Sequence, residues 1–353
     1  MTTTTTTGEP ATDPRAVLAP LLFGFFPTQV LHVGASLGVA DLLVDGPRTS
    51  AALAHATDCD EPSLYRVLRA LACFGVLDEV EPGTFAHGPH AGGLVTGSPT
   101  SMRHLIELFA GHDVWRSWGE LAVTVRTGEP AWDRVTGMSA FEHMASHPDE
   151  QAMFNQAMSE GTRNAIPGII EAGEFDRFSH VVDVGGGDGT LLVAVLAAHP
   201  GLRGTVFDTE TGLVGAAARL AGAGLTDRAA TVAGDFFTSV PGDADAYLVK
   251  SVIHDWDDAR ATAILANIAA AMPSQGTLLV IEPVMPAVPA GSRDVLMMVM
   301  SDLNMLVCTG GKERTEDEFR TVLTGAGFDV RSITPAHGPT NFSVIEAVPA
   351  PRA

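Results

Sequence analysis

Cysteine is scarce. Only Cys59, Cys73 and Cys308 occur in 353 residues, and no two of them stand at a zinc-ligand spacing. An odd, scattered set builds no disulfide framework, and a reducing cytoplasm is the simplest setting for it. Positive charge is also short: 21 basic residues face 42 acidic ones, for a net charge of −21. Phosphate backbones and anionic lipid repel such a chain, which counts against nucleic acid and membrane as partners. Uninterrupted apolar runs of the ~18 residues that a membrane span needs are missing. "AVLAPLLFGFF" (Ala16–Phe26) stops at Pro27 and reads as a buried helix or a subunit contact. Met1 is followed by six threonines, with neither the basic nor the apolar region of a signal peptide. Residues 1–12 read as a disordered tail. No repeat of fixed period is visible.

What is present divides the chain in two. Hydrophobic residues make up 46%, enough for sizeable cores. Leu64, Val67, Leu68 and Leu71 recur at helical spacing behind a start signal at Asp60 or Glu61 before Pro62. "GVLDEVEPGTFAHG" then reads as a hairpin turning at "EPGT". Helix, helix and hairpin make a winged-helix pattern. Its second helix offers only Arg66 and Arg69, so an oligomerisation or lid role is favoured over DNA binding. The two apolar segments Ala16–Phe26 and Leu64–Phe74 exceed what one small subdomain can bury, which implies a dimer. From His104 to about Glu174 the pattern is helical, broken near "TGEPAWD".

After Phe178 five short apolar runs alternate with helical patterns at Leu191–His199, Leu213–Leu220 and Ala259–Met272. The fold class is therefore α/β, a mostly parallel sheet with helices on both faces, preceded by a mainly helical domain. Ligands of such sheets bind beyond the carboxyl ends of the strands. The first run ends in "DVGGGDG" (Asp183–Gly189), whose G-x-G-x-G spacing is not the nicotinamide pattern. The second ends at Asp208, an acid placed to take both hydroxyls of a ribose. The third ends in "GDFF", where Gly234, Asp235 and Phe236 suit an adenine through its amine and its flat face. No P-loop lysine or basic cluster awaits a pyrophosphate. A nucleoside with an amino-acid tail fits better, which points to S-adenosylmethionine.

The fourth run leads through "KS" into "VIHDWDD", and His254 follows it. Three readings are open for this histidine: core residue, metal ligand or base. Glu282 ends the fifth run and Glu313 lies in "GGKER"; either can orient the ring. No second histidine or cysteine stands near His254 at ligand spacing, so no metal is expected. His143 and His147 in "HMASH" read as ordinary surface histidines.

Together and in order, "VVDVGGGDGTL", "FD", "GDFF", "LVKSVIHDWDD", "IEPV" and "GGKERTEDEF" resemble the S-adenosylmethionine-dependent O-methyltransferases of the caffeate/chalcone type, in their bacterial natural-product branch. The resemblance runs from about Leu18 to Val348. It implies a winged-helix dimerisation domain (13–105) that swaps between subunits. It also implies a Rossmann-like methyltransferase domain with a helical connector (106–353). His254 would be the general base, flanked by Glu282 and Glu313. Asp183, Gly185 and Gly187 would border the cofactor, Asp208 its ribose, and Gly234, Asp235 and Phe236 its adenine, with Lys250, Ser251 and Trp256 alongside. Met158 and Met305 would sandwich a small aromatic acceptor, with Asp255 near its hydroxyl. The expected enzyme is a cytoplasmic homodimer that methylates a phenol. The rival readings are the same fold turned to hydroxylation or decarboxylation, and a cofactor-sensing DNA-binding regulator.

Overall fold

The computed structural model describes residues 13–289, 291–338 and 340–351, so the tail expected at 1–12 lies outside the described residues. These residues form two units, one through Gly111 and one from His112. The first unit opens with α1 (Pro14–Leu22), capped by the Asp13 side chain, and α2 (Phe25–Ser36). The short strand β1 (Arg48–Thr49) leads into α3 (Ser50–Thr57), capped by Thr49. Next comes α4 (Glu61–Cys73), where Asp60 accepts from Ser63 N and Pro62 stands in the first turn. The hairpin β2 (Leu77–Glu81) and β3 (Thr84–His87) follows, and β1 pairs with β3. Gly83 turns the hairpin at φ 76°. Leu64, Leu68 and Leu71 bury one face of α4 against Leu53, Leu77 and Phe85, the winged-helix arrangement read from the periodicity. The unit ends in α5 (Arg103–Phe109).

None of α1 is buried within the chain. Leu18, Leu21 and Leu22 are all more than 60% exposed. That removes the buried-helix reading of this segment and leaves the subunit contact. Pro14–Ser36 is long and apolar enough to cross a membrane by length and composition. It nevertheless divides into two helices around Phe23 and Gly24, with Pro20, Thr28, Gln29 and His32 interrupting the apolar run.

In the second unit four short helices precede a long one. They are α6 (His112–Gly119), α7 (Leu121–Thr127), α8 (Ala131–Thr136), α9 (Ala140–Ser146) and α10 (Pro148–Gly173). Then β4 (His180–Val184), α11 (Thr190–Ala198), β5 (Arg203–Asp208), α12 (Ala216–Gly222) and β6 (Ala229–Ala233) build one half of a sheet. The other half comes from β7 (Ala246–Lys250), α13 (Asp258–Ala271), β8 (Thr277–Met285), α14 (Arg293–Cys308), β9 (Arg314–Thr315), α15 (Glu316–Gly325), β10 (Phe328–Pro335) and β11 (Phe342–Pro349). The sheet order is β10-β11-β8-β7-β4-β5-β6, with β9 pairing off β8. β8 through β6 run parallel, while β11 and β10 are antiparallel.

Strand residues alternate between two cores. Val182, Tyr247, Val249 and Leu278 pack against α13 and α15. Val181, Ala246, Leu248 and Leu279 pack against α10 and α11. The chain winds outward from β4 through β5 to β6, then returns to lay β7 on the other side of β4. The connections after β4 and β7 therefore diverge, and a crevice opens beyond their carboxyl ends.

Candidate active site

The loop after β4 needs its glycines. Gly185, Gly187 and Gly189 stand at φ 71°, 56° and 78°. A Cβ on Gly186 would come within 2.8 Å of the Asp183 carboxyl carbon. At the end of β5, Asp208 Oδ2 accepts from Gly187 N at 2.9 Å and Oδ1 from Thr209 N at 2.7 Å. Burial raises the Asp208 carboxyl, and these N–H donors oppose it. Asp183 is buried with Oδ2 unpartnered. Burial pushes its carboxyl to about 7, against the pull of Lys250. Gly234 is glycine for packing: a Cβ there would meet the Phe207 ring at 2.5 Å. Asp235 is exposed and accepts from Phe237 N at 2.8 Å, so its carboxylate caps its own turn. Phe236 and Phe237 meet the Trp256 ring edge-on, and Phe141 stacks on Trp256 at 4.9 Å. Trp256 Nε1 is buried without a hydrogen-bond partner. Lys250 Nζ donates to Ser251 Oγ at 3.0 Å and lies over the Phe342 ring.

Beyond β7 the backbone turns sharply. Ser251 holds φ at 52°, a left-handed conformation that costs a non-glycine residue energy. The 3₁₀ turn Ile253–Asp255 then carries His254. Glu282, fully buried on β8, pins this turn by accepting from Val252 N at 2.9 Å and Ile253 N at 3.0 Å. Its other oxygen lies 3.4 Å from His254 Nδ1. Glu313 Oε1 lies 3.0 Å from the same Nδ1 and also accepts from Ser301 Oγ at 2.7 Å. An ionised carboxylate only accepts, so Nδ1 carries the proton in this contact. On the other edge of the ring, Nε2 lies 3.9 Å from Asp255 Oδ1, beyond hydrogen-bond reach.

The charges decide how basic the ring is. Burial alone would lower its pKa, but Glu282, Asp255 and Glu313 outweigh burial and raise it to about 10. The ring is therefore far more basic than the value near 6.5 that the residue type suggests. Burial raises Asp255 to about 7 even with His254 beside it, and raises Glu282 as well. Glu313 is held below the usual range: burial works against this, but the hydrogen bonds from His254 and Ser301 prevail.

The structure thus gathers His254, Glu282, Glu313 and Asp255 in one cluster, and places Asp183 and Asp208 at the carboxyl ends of β4 and β5 with Gly185 and Gly187 in the loop after β4. Met305 is buried on α14 one turn beyond Ser301, on the helix that supports Glu313. Met158 precedes Ser159 on α10, and Ser159 Oγ donates to Asp188 Oδ2 at 2.5 Å. That contact ties the Met158–Ser159 stretch of α10 to the glycine loop.

Sequence reasoning missed Arg314, Ser301, Phe141 and also Asp302, whose Oδ1 accepts from Glu313 N at 2.9 Å. Arg314 is fully buried and donates to the carbonyls of Ile253 and Trp256 and to Asp258. The one available signal was its place directly after Glu313. The surface reading of His143 is also corrected. It is buried, lies edge-on to Trp132, stacks on the His147 ring at 4.0 Å and bonds Glu150 at 2.9 Å. Potential ligand atoms of His143, His147 and Glu150 lie within 4.8 Å of one another, as do those of His254, Glu282 and Glu313. In the latter group the Nδ1–H and Ser301 O–H already fill Glu313 Oε1.

Residues 118–329 match the O-methyltransferase domain, and residues 19–97 match the O-methyltransferase dimerisation domain. The chain belongs to the O-methyltransferase family. It is a methyltransferase whose cofactor is S-adenosylmethionine. Among its relatives is the phenazine O-methyltransferase PhzM of Lysobacter antibioticus, 39% identical over 95% of this chain and 96% of that protein. The O-demethylpuromycin-O-methyltransferase of Streptomyces alboniger is 40% identical over 93% of this chain and 88% of that protein. The crystal structure of the O-methyltransferase NcsB1 from neocarzinostatin biosynthesis holds S-adenosylmethionine and 2-hydroxy-5-methyl naphthoic acid. It is 35% identical, with a TM-score of 0.77 over 91% of this chain and 95% of that one.

The residues of this O-methyltransferase fit the cofactor. Asp208 Oδ2 takes one protein donor, the Gly187 N–H, and keeps room for a ribose hydroxyl, while Oδ1 already accepts from Thr209 N and, at 3.3 Å, from Thr209 Oγ1. The unpartnered Asp183 oxygen and Trp256 indole N–H are polar groups still to be matched.

Proposed function

We propose that this methyltransferase acts on a phenolic hydroxyl of a small aromatic secondary metabolite, with His254 as general base. One observation carries the reading. A single imidazole sits at the β7 end of the crevice with Nδ1 on two buried carboxylates and Nε2 unbonded. The bound cofactor supplies an already activated methyl group on its sulfonium. The chain has to bind the acceptor, orient it and take its proton. A phenol ionises near pH 10, so proton transfer to an ordinary histidine is uphill by about 5 kcal/mol. A ring raised to about 10 accepts that proton on nearly level terms. The compensation is that the ring must first be neutral, so turnover rises with pH. Glu313 and Glu282 keep the proton of the resting ring on Nδ1, which turns Nε2 towards the acceptor. Asp255 stands on that side and is assigned to the acceptor hydroxyl.

The cofactor roles follow the strand ends. Asp208 holds the ribose, Phe236 and Trp256 pack the adenine, and Lys250 with Ser251 lies alongside. Gly185 and Gly187 admit the backbone close to the ligand. Met158 and Met305 are assigned to the faces of the aromatic acceptor. The dimerisation domain supports a homodimer, and the few unpaired cysteines support a cytoplasmic setting.

The test is to incubate the protein with S-adenosylmethionine labelled in its methyl group and a panel of phenols and aromatic amines. Label is expected in an aryl ether. Consumption of an acceptor by hydroxylation or decarboxylation without label, or label on amines alone, would overturn the reading.

A further inference from the structure

We propose that Arg314 is a positioning residue for His254. It fixes the turn that carries the ring, so that Nδ1 stays on Glu313 and Nε2 stays towards the acceptor. The inference rests on the reading of His254 as the base. Three consecutive residues of one loop divide the work. Lys312 N donates to the His254 carbonyl at 2.9 Å. Glu313 takes the His254 ring at 3.0 Å. Arg314 takes the carbonyls on either side of His254, donating to Ile253 O at 2.8 Å and Trp256 O at 2.8 Å. The guanidinium reaches both because its donors form a planar fork. It also bonds Asp258 Oδ1 through Nε at 3.0 Å and through a terminal nitrogen at 2.9 Å. A lysine ammonium has a single donor centre and cannot span the same set.

Burial makes this arrangement more than a surface brace. The Arg314 side chain is 0% exposed. A buried charge is costly unless paired and hydrogen-bonded, and an apolar side chain would fill the space at less cost. What an apolar residue cannot do is hold two carbonyls of a tight turn that starts from the strained Ser251. The fit around the turn is close: a Cβ on Gly311 would come within 2.0 Å of the His254 carbonyl oxygen. The turn and the loop 311–314 are therefore locked together, and the lock includes both the backbone and the ring of His254.

Kinetics of Arg314→Lys, Arg314→Met and Asp258→Asn test this, with Arg320→Ala at an exposed helical ion pair as control. For Arg314→Lys and Asp258→Asn, kcat is expected to fall ~10–100-fold, the scale of a small misplacement of a catalytic group. The S-adenosylmethionine Kd and the acceptor KM should stay within about threefold. The acid limb of kcat/KM should move to lower pH, because a looser ring loses contact with Glu313 while Glu282, Asp255 and Lys250 still face it. A purely structural role would lower the melting temperature and leave kcat per folded molecule and the acid limb unchanged, and that result overturns the proposal. Arg314→Met is informative only if it folds, and the other two variants carry the test without it. Ring ¹⁵N shifts of His254, assigned with His254→Gln, report the Nδ1 contact independently of activity. Unchanged shifts in both Arg314→Lys and Asp258→Asn contradict the positioning role even if another group proves to be the base.

Discussion

At the scale of the residue, His254 owes its chemistry to neighbours brought from elsewhere in the chain. Glu282 comes from β8 and Glu313 from the loop before β9, and together with Asp255 they lift the ring to about 10. With His254 as the proposed base, the base form is the neutral ring, and activity is expected to rise with pH towards that value. Removing a raising charge shifts the rise to lower pH. Glu313→Gln should therefore lose activity at high pH through poorer orientation, yet show a smaller deficit at pH 6 than at pH 9. Glu282→Gln should behave likewise, since glutamine keeps the oxygen that accepts from Val252 and Ile253 N–H. Profiles of kcat/KM against pH check both; an acid limb that stays in place in both variants contradicts the charge argument. At Asp208 the expectation concerns the cofactor. Asp208→Ala should weaken S-adenosylmethionine by about 1.5–3 kcal/mol, the worth of a hydrogen bond to a charged acceptor. Titration calorimetry showing an unchanged Kd would refute the ribose assignment.

At the scale of the element, close approach is the sharper constraint. Gly311 has a negative φ, but its missing side chain leaves room for the His254 carbonyl. Gly311→Ala should push the loop off the turn, at the roughly 1–3 kcal/mol typical of overpacking, and lower kcat while the cofactor Kd holds. A variant with unchanged melting temperature and kcat would show that the loop yields freely. Elements of this kind were partly legible from sequence. The five runs from "HVVDV" to "GTLLVIEP" are the parallel strands: four are buried and read as apolar runs between turn residues, while β6 at the sheet edge is apolar with none of its residues buried. Asp60 caps α4 where the capping pattern placed it. α12 starts at Ala216 and not at Leu213, because Gly215 interrupts the helix at φ 90°. The antiparallel pair β10 and β11 went unread. Arg314 was missed and His143 misread for one reason: charged and polar side chains look exposed in a sequence, and only the fold shows the partners that let them be buried. The basicity of His254 was illegible for the same cause, since none of the distances that set it lies along the chain.

At the scale of the molecule, the apolar N-terminal helices need a partner. Leu21, Leu22, Phe23, Phe25 and Phe26 are all about half exposed or more, a patch that a lone chain in water does not favour. With a dimerisation domain over residues 19–97, a dimer that persists on dilution is expected. A stable monomer in sedimentation at sub-micromolar concentration would contradict it. Stability should also carry the signature of His254. Its folded pKa lies above the unfolded value, so its contribution is fully present below about 6.5 and is lost as pH rises through about 10. The melting temperature of the wild type should therefore fall more between pH 7 and 10 than that of His254→Gln. Parallel curves would show that the imidazolium does not stabilise the fold.

The central claim is that His254 takes the proton of the acceptor, and methyl transfer by His254→Gln tests it most directly. With a phenol of ordinary pKa, general base catalysis of about 10²–10⁴-fold should be lost while S-adenosylmethionine affinity stays near that of the wild type. With a phenol acidic enough to be ionised at the assay pH, the deficit should shrink, because no proton remains to be taken. A variant that folds, binds the cofactor and methylates the un-ionised phenol at the wild-type rate would contradict the account.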